Sequence, residues 1–384
     1  MKENTFNQVV NRKNTSTYKW DFQPNINNLP FSVADSDYKT APCILNKLND
    51  IVEFGLYGYN VIPDRFYQAI INWYKKRYNS EVLKEWIIPS TGVILEIRIL
   101  LEVLSKENDG IILQTPVYHT FHHLIETMNR KIIENKLIKK GDTYIMDYEN
   151  LEERFKEGNK ILILCSPHNP VGRIWTKEEI GRVISIAKKY QAFVIVDEIH
   201  SDLNITNNKF NSGIDFIDEY ENIVVCNAPS KAFNLAGLST SYIMIPNKKI
   251  KDLYINQKER EFLSSPTVFG YSALIAAYEE GSLWIDEQNN HIRENYKYLK
   301  EFLNKELPRL VVTKLEGTYL VWLDLSYTKL STKQILEICC DAGITCNGGV
   351  NFGQDYESYI RFNIACPFEQ LKEGLNRLVS AIKK

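Results

Sequence analysis

Between about residue 85 and residue 246, short apolar runs alternate with stretches of helical periodicity, and this alternation constrains the fold more than any other feature of the chain. The runs are GIILQ (110–114), KILILC (160–165), FVIVD (193–197), NIVVCN (222–227) and YIMIP (242–246). Residues 193–196 are apolar at every position before Asp197, which suits a strand buried on both faces of a mostly parallel sheet. Strands alternating with helices predict an α/β architecture with helices on both sides of the sheet. Thr176 followed by Lys-Glu-Glu predicts a helix start with Glu179 completing a capping box, and Ile180, Val183, Ile184 and Ala187 fall on one face of that helix.

The pattern changes after residue 246. Long amphipathic helices are expected near 247–260, 268–280 and 284–305, then strands near 310–323 and 358–364, which describes a smaller α+β part. Residues 1–45 read as an extended arm and a first helix that pack on it. The expected division is a large domain of residues 46–280 and a small domain built from 1–45 and 281–384. With 384 residues, 44% hydrophobic and 12% aromatic, the chain has enough apolar material to fill such cores. No repeat, low-complexity segment or linker interrupts it.

The charge balance argues against several function classes. Acidic and basic residues number 48 and 46, so there is no electrostatic footprint for nucleic acid or an anionic membrane. The first twenty residues lack a signal-peptide core and no stretch is long enough to span a bilayer, which predicts a cytoplasmic protein. The seven cysteines follow no CxxC or metal-finger spacing. Adjacent Cys339 and Cys340 read as one buried and one half-buried helix residue. His119, His122 and His123 share a helix face, but no Cys or carboxylate cluster completes a metal site, and no metal is expected.

In open α/β sheets ligands bind at the carboxyl ends of strands, so the residues just after each apolar run matter most. Lys231 lies there, between Ser230 and the small residues of NLAGLS. An amine in that position is partly desolvated and neutral enough to attack an aldehyde, although a lone loop lysine is more often a surface charge. Pyridoxal 5′-phosphate (PLP) chemistry also needs an acidic residue against the pyridine nitrogen. Asp197 ends its strand at a suitable place, with helix N-capping as the alternative. Asn169, in a Pro-His-Asn-Pro turn, is a candidate donor to the cofactor's phenolate oxygen or ordinary turn chemistry.

SPHNPVGRIW (166–175), VDEIHSDL (196–203) and NAPSKAFNLAGLS (227–239) resemble the signatures of fold-type I PLP enzymes of the class I/II aminotransferase superfamily. More narrowly, the chain resembles the MalY/PatB branch of cystathionine β-lyase-like C–S lyases. The likeness includes KWD (19–21), VADSDY (33–38), YGYN (57–60), GTYLVWLDL (317–325) and IRFNIACP (360–367).

The resemblance implies that Lys231 is the Schiff-base lysine, Asp197 the pyridine partner and Asn169 a phenolate-oxygen donor. Tyr118 would stack on the ring. His200, where many relatives have a tyrosine, would tune the phenolate oxygen or serve as a core histidine. Gly92, Val93 and Ile94 open a helix whose free N–H groups suit the phosphate, with help from Ser230. Ser239 stands where many aminotransferases carry a phosphate-binding arginine, which fits the lyase branch. Arg361 matches the arginine that grips the substrate carboxylate. Tyr59 matches a tyrosine that reaches a neighbouring subunit's site, implying a homodimer with shared active sites.

Some positions depart from the family pattern. Ser32 and Ser36 replace a large aromatic residue and a methionine near the expected pocket, and Leu95 and Glu96 follow where proline is common. The implied reaction is elimination of a thiol from a sulfur amino acid to give pyruvate and ammonia. The motifs alone leave transamination open, as well as a MalY-like regulatory binding role.

Overall fold

The computed structural model describes residues 5–206 and 208–383. Its main sheet has seven strands: β1 (Ile87–Ser90), β2 (Gly110–Leu113), β3 (Lys131–Glu134), β4 (Ile161–Cys165), β5 (Phe193–Asp197), β6 (Ile223–Asn227) and β7 (Ser241–Met244). The spatial order is β1-β7-β6-β5-β4-β2-β3. β7 runs antiparallel to both of its neighbours, and the pairings from β6 through β3 are parallel. β4 and β6 are buried at every position.

Period-2 side-chain alternation explains that burial, because each face feeds a different core. Ile111, Ile163, Ile195 and Val224 pack with Ile97, Leu100 and Phe121. Leu162, Val194 and Val225 pack into a second cluster with Val183 and Ile184. The helices that matter for the site are α1 (Pro42–Phe54), α2 (Val93–Leu104), α3 (His119–Thr127) and α4 (Lys177–Lys189). α4 starts as its sequence requires: Glu179 N donates to Thr176 Oγ1 at 3.2 Å and Thr176 N to Glu179 Oε2 at 2.9 Å.

A smaller antiparallel sheet follows, made of β8 (Val311–Val312), β9 (Leu320–Asp324), β10 (Asn347–Gly348) and β11 (Tyr359–Asn363) in the order β8-β9-β11-β10. The strand structure expected near 310–323 is present as β8 and β9, with residues 313–319 outside the sheet. The residues between β8 and β9 send their backbone bonds to the main sheet's loops instead: Glu316 N and Gly317 N donate to Gly172 O, and Thr318 N donates to Leu203 O. In the arm, Tyr18–Asp21 is a single helical turn and the first long helix is α1, most of it beyond residue 45. Leu29–Pro30 pairs in parallel with Ile344–Thr345. Among the described residues no helix is long and apolar enough to cross a membrane.

Candidate active site

Cys165, Asp197 and Asn227 end three adjacent strands, and a cavity of about 220 Å³ is lined by Cys165, Asp197 and residues that follow these strand ends. Lys231, Asp197, Asn169, Tyr118 and His200 line it. So do Gly92, Val93 and Ile94 at the start of α2, together with Ser230 and Ser239. Residues from five separate stretches of sequence thus meet at one sheet edge.

Lys231 is half-buried in the turn after β6, a turn closed by Phe233 N to Pro229 O at 2.9 Å and Leu235 N to Ser230 O at 3.0 Å. Its Nζ donates to Ala34 O at 2.9 Å. Burial, then the positive charge of Arg361, lowers its proton affinity, while Asp35 and Asp197 act in the opposite sense. A less basic amine is more often neutral and nucleophilic.

Asp197 is buried and accepts from Ile199 N at 3.0 Å. The residues after it form a turn and no helix, so it is not a helix N-cap. Burial pushes its carboxyl up to about 6, against the pull of that N–H and of Lys231. His200 is also buried, its Nδ1 has no partner, and its ring meets Tyr319 edge-on at 6.1 Å. Burial, then Lys231 and Arg361, holds it well below the ordinary histidine range, so the imidazole is neutral.

α2 begins at Gly92 with no side-chain cap. Glu96 N is bonded to Gly92 O at 3.1 Å, so the N–H groups of Val93, Ile94 and Leu95 before it lack intrahelical acceptors. Residues 92–95 line the cavity. Ser239 also lines the cavity, with φ of 46°, a left-handed conformation uncommon for a residue other than glycine.

Arg361 stands behind Asn169 and is fully buried. Nη1 donates to Asn169 Oδ1 at 3.1 Å, and Nη2 donates to Asn347 Oδ1 at 2.8 Å and Ser32 O at 2.9 Å. Nε has no partner, the guanidinium lies 4.9 Å from the centre of the Phe352 ring, and burial pushes its pKa down to about 10. Among the described residues, no carboxylate lies within salt-bridge distance of it. A buried cation without an acidic partner is costly unless a ligand supplies the anion.

Tyr59 is not part of this cluster; it is fully exposed between α1 and the next helix. Glu96, Ser32 and Ser36 are not among the cavity-lining residues. Glu96 is buried against Ser241, whose Oγ donates to it at 2.5 Å, and burial pushes it up to about 8. Ser36 Oγ is buried without a partner. His119 packs against Tyr118 and Phe352, with ring centres 5.0 and 5.5 Å apart. Sequence reasoning missed Thr91 and Ala34. Thr91 adjoins Gly92 and its position signals it, whereas Ala34 contributes a backbone carbonyl, which no side-chain pattern marks.

Comparison with known proteins agrees with this geometry. The chain is 32% identical over 384 residues to cystathionine β-lyase PatB of Bacillus subtilis (strain 168), covering 98% of this chain and 99% of the relative. The structure of cystalysin from Treponema denticola, described as containing a pyridoxal 5′-phosphate cofactor, superposes with a TM-score of 0.95 at 31% identity, over 98% of each chain. The PLP-bound C–S lyase from Staphylococcus hominis gives a TM-score of 0.93 at 29% identity, over 99% of this chain and 98% of that one. The family model for aminotransferase class I and II matches residues 26–378, and the chain belongs to that family.

Proposed function

We propose that this protein is a PLP-dependent carbon–sulfur β-lyase that eliminates a thiol from a sulfur amino acid, of the cystathionine or cysteine S-conjugate type, and leaves pyruvate and ammonia. The observation that carries the reading is the Lys231 amine, depressed by burial, in one cavity with Asp197 and an uncapped helix N-terminus. Relatives named cystathionine β-lyase and C–S lyase support elimination over transamination.

The residues fit the cofactor. Lys231 offers the amine that links to the aldehyde, and the open N–H groups of Val93, Ile94 and Leu95 suit a phosphate dianion, with the Ser230 and Ser239 hydroxyls nearby. Asp197, raised by burial, gains from meeting a protonated pyridine nitrogen. Asn169, whose Oδ1 accepts from Arg361, has its N–H₂ end left to donate and would hold the phenolate oxygen, with neutral His200 in the same cavity. Tyr118, in the same cavity wall, would cover the ring.

When bound, PLP supplies an electron sink for the pair left at the substrate's Cα. Arg361 takes the α-carboxylate in its guanidinium fork and so fixes the amino acid's orientation. With PLP in the site, the Lys231 amine would be placed to accept the Cα proton as general base. The Cβ–S bond breaks with its electron pair on sulfur, which departs as a thiolate, and hydrolysis by water of the remaining three-carbon unit gives pyruvate and ammonia. A thiol with a pKa of about 8.5 leaves without a strong general acid.

In this reading the main sheet belongs to the large domain taken as residues 46–280, and the working unit is a homodimer. Val52, Phe54, Leu56, Tyr57 and Val61 are exposed around Tyr59, and Asn60 Nδ2 bonds Pro266 O at 3.4 Å near exposed Phe262. Contiguous exposed apolar surface favours an interface, and two-fold pairing is the commonest way to bury it. Tyr59 then enters the neighbouring site. Incubation of the PLP-loaded protein with L-cystathionine or L-cystine, with and without a keto acid, tests the reaction. Pyruvate without keto acid supports the lyase; strict dependence on keto acid makes the protein an aminotransferase.

A further inference from the structure

The strap of residues 32–38 is bonded from two directions. Arg361 Nη2 donates to Ser32 O and Lys231 Nζ to Ala34 O, both at 2.9 Å. From the N-terminal arm, Arg12 grips Asp35 with two parallel bonds, Nη1 to Oδ1 and Nη2 to Oδ2, each 2.9 Å. Arg12 Nη1 also reaches Ser36 O and Asp37 Oδ1 at 2.9 Å. Asp37 has further donors in Lys19, Trp20 and Gln370, and its side chain is 3% exposed. Asp35 is different. Its side chain is 24% exposed, it follows directly on the carbonyl that holds Lys231, and its charge acts on Lys231 and Tyr319.

We propose that Arg12 and Asp35 are positioning residues through which the N-terminal arm sets the proton affinity of the Lys231 nitrogen. The inference rests on the reading that Lys231 carries the cofactor.

Among the described residues, the charges that act on the Lys231 amine are those of Asp35 on the strap, Asp197 at the end of β5 and Arg361 on β11, and His200 in the turn after β5 and Tyr118 share its cavity. His200 is neutral. In the proposed reaction Asp197 is matched by the pyridine nitrogen and Arg361 by the substrate carboxylate. Asp35 is therefore the charge on Lys231 that no reacting group neutralises. Arg12 decides how much of that charge the nitrogen feels, because a bidentate pair cancels much of the carboxylate's field. Removing the two residues should have opposite effects, which a merely structural role for the arm would not produce.

The test is a pH titration of the visible absorption band of the PLP-loaded protein, whose midpoint reports the proton on the Lys231 nitrogen. Asp35→Asn is expected to lower the midpoint by about one unit and Arg12→Ala to raise it by a comparable amount, as an opposite charge nearby typically does. Arg12→Lys should return the midpoint towards the wild-type value. If Arg12→Ala unfolds, as circular dichroism would reveal, the nearly isosteric Asp35→Asn at its partly exposed position decides alone. Unmoved midpoints, or shifts of one sign in both variants, overturn the inference while leaving the lyase reading intact. A wild-type protein with no visible band overturns that reading and this inference together.

Discussion

Arg361 Nη1 donates to Asn169 Oδ1 at 3.1 Å across 192 positions of sequence, so the group assigned to the substrate carboxylate and the group assigned to the cofactor oxygen hold one another in place. Arg361 belongs to the small sheet and Asn169 to a loop of the main sheet, which makes this contact a joint between the two. Arg361→Ala is expected to lower kcat/KM by roughly ten- to a hundredfold, mostly through KM. A hydrogen bond to a charged group is worth about 1.5–3 kcal/mol. Arg361→Lys keeps the charge but not the fork and should recover only part of the loss. Steady-state kinetics with one substrate decide; an unchanged specificity constant removes Arg361 from the site.

Asp197 gives a pH signature in stability. Burial holds its carboxyl at about 6, above the ordinary aspartate range. A group raised on folding contributes stability that is present below the unfolded value and lost as pH rises through the folded one. At neutral pH the cofactor-free chain therefore carries an unmatched buried carboxylate. The gain in Tm on adding PLP should be larger at about pH 7.5 than at about pH 5, and Asp197→Asn should flatten that difference. An equal gain at both pH values in the wild type would refute the pairing.

The strands that end at the cavity were legible because a buried parallel strand is apolar throughout and the chemistry follows at its carboxyl end, as in 160–175 and 193–203. The capping box at Thr176 and Glu179 was legible for the same local reason. β1 was not, since IIPS gives four residues and no period. The break between β8 and β9 was not legible either, because it answers a demand from elsewhere, with Glu316, Gly317 and Thr318 bonded to Gly172 and Leu203. The clamp of Arg12 on Asp35 was equally hidden: both residues are visible, but their relation to Lys231 runs through the backbone carbonyl of Ala34.

Glu96 offers a test of burial by itself. Its carboxyl, pushed by burial from the ordinary glutamate range up to about 8, disfavours the fold progressively as pH rises between the two. Glu96→Gln removes the titration. Over that range the wild type should lose stability relative to the variant with a slope of up to about 1.4 kcal/mol per pH unit. Denaturant unfolding at several pH values measures it, and parallel pH profiles would show that Glu96 ionises freely.

The shared-site dimer predicts complementation. Tyr59→Phe protein is expected to be impaired while retaining its own Lys231, and Lys231→Ala protein to be inactive while retaining Tyr59. After subunit exchange, one of the two mixed sites holds both wild-type residues, so activity should partly return. Impaired Tyr59→Phe without recovery on mixing, or an active species that sediments as a monomer, would overturn the shared-site dimer.

Chemistry on the amine of Lys231 leaves a mark that a peptide map of PLP-loaded protein reduced with borohydride reads. The account predicts a yellow protein bleached by the reductant, with a single phosphopyridoxyl group on the peptide that contains Lys231. It also predicts that Lys231→Ala, folded like the wild type, carries no such group and forms no pyruvate. Label on a different lysine, or a Lys231→Ala variant that keeps a substantial share of the wild-type rate, would contradict it.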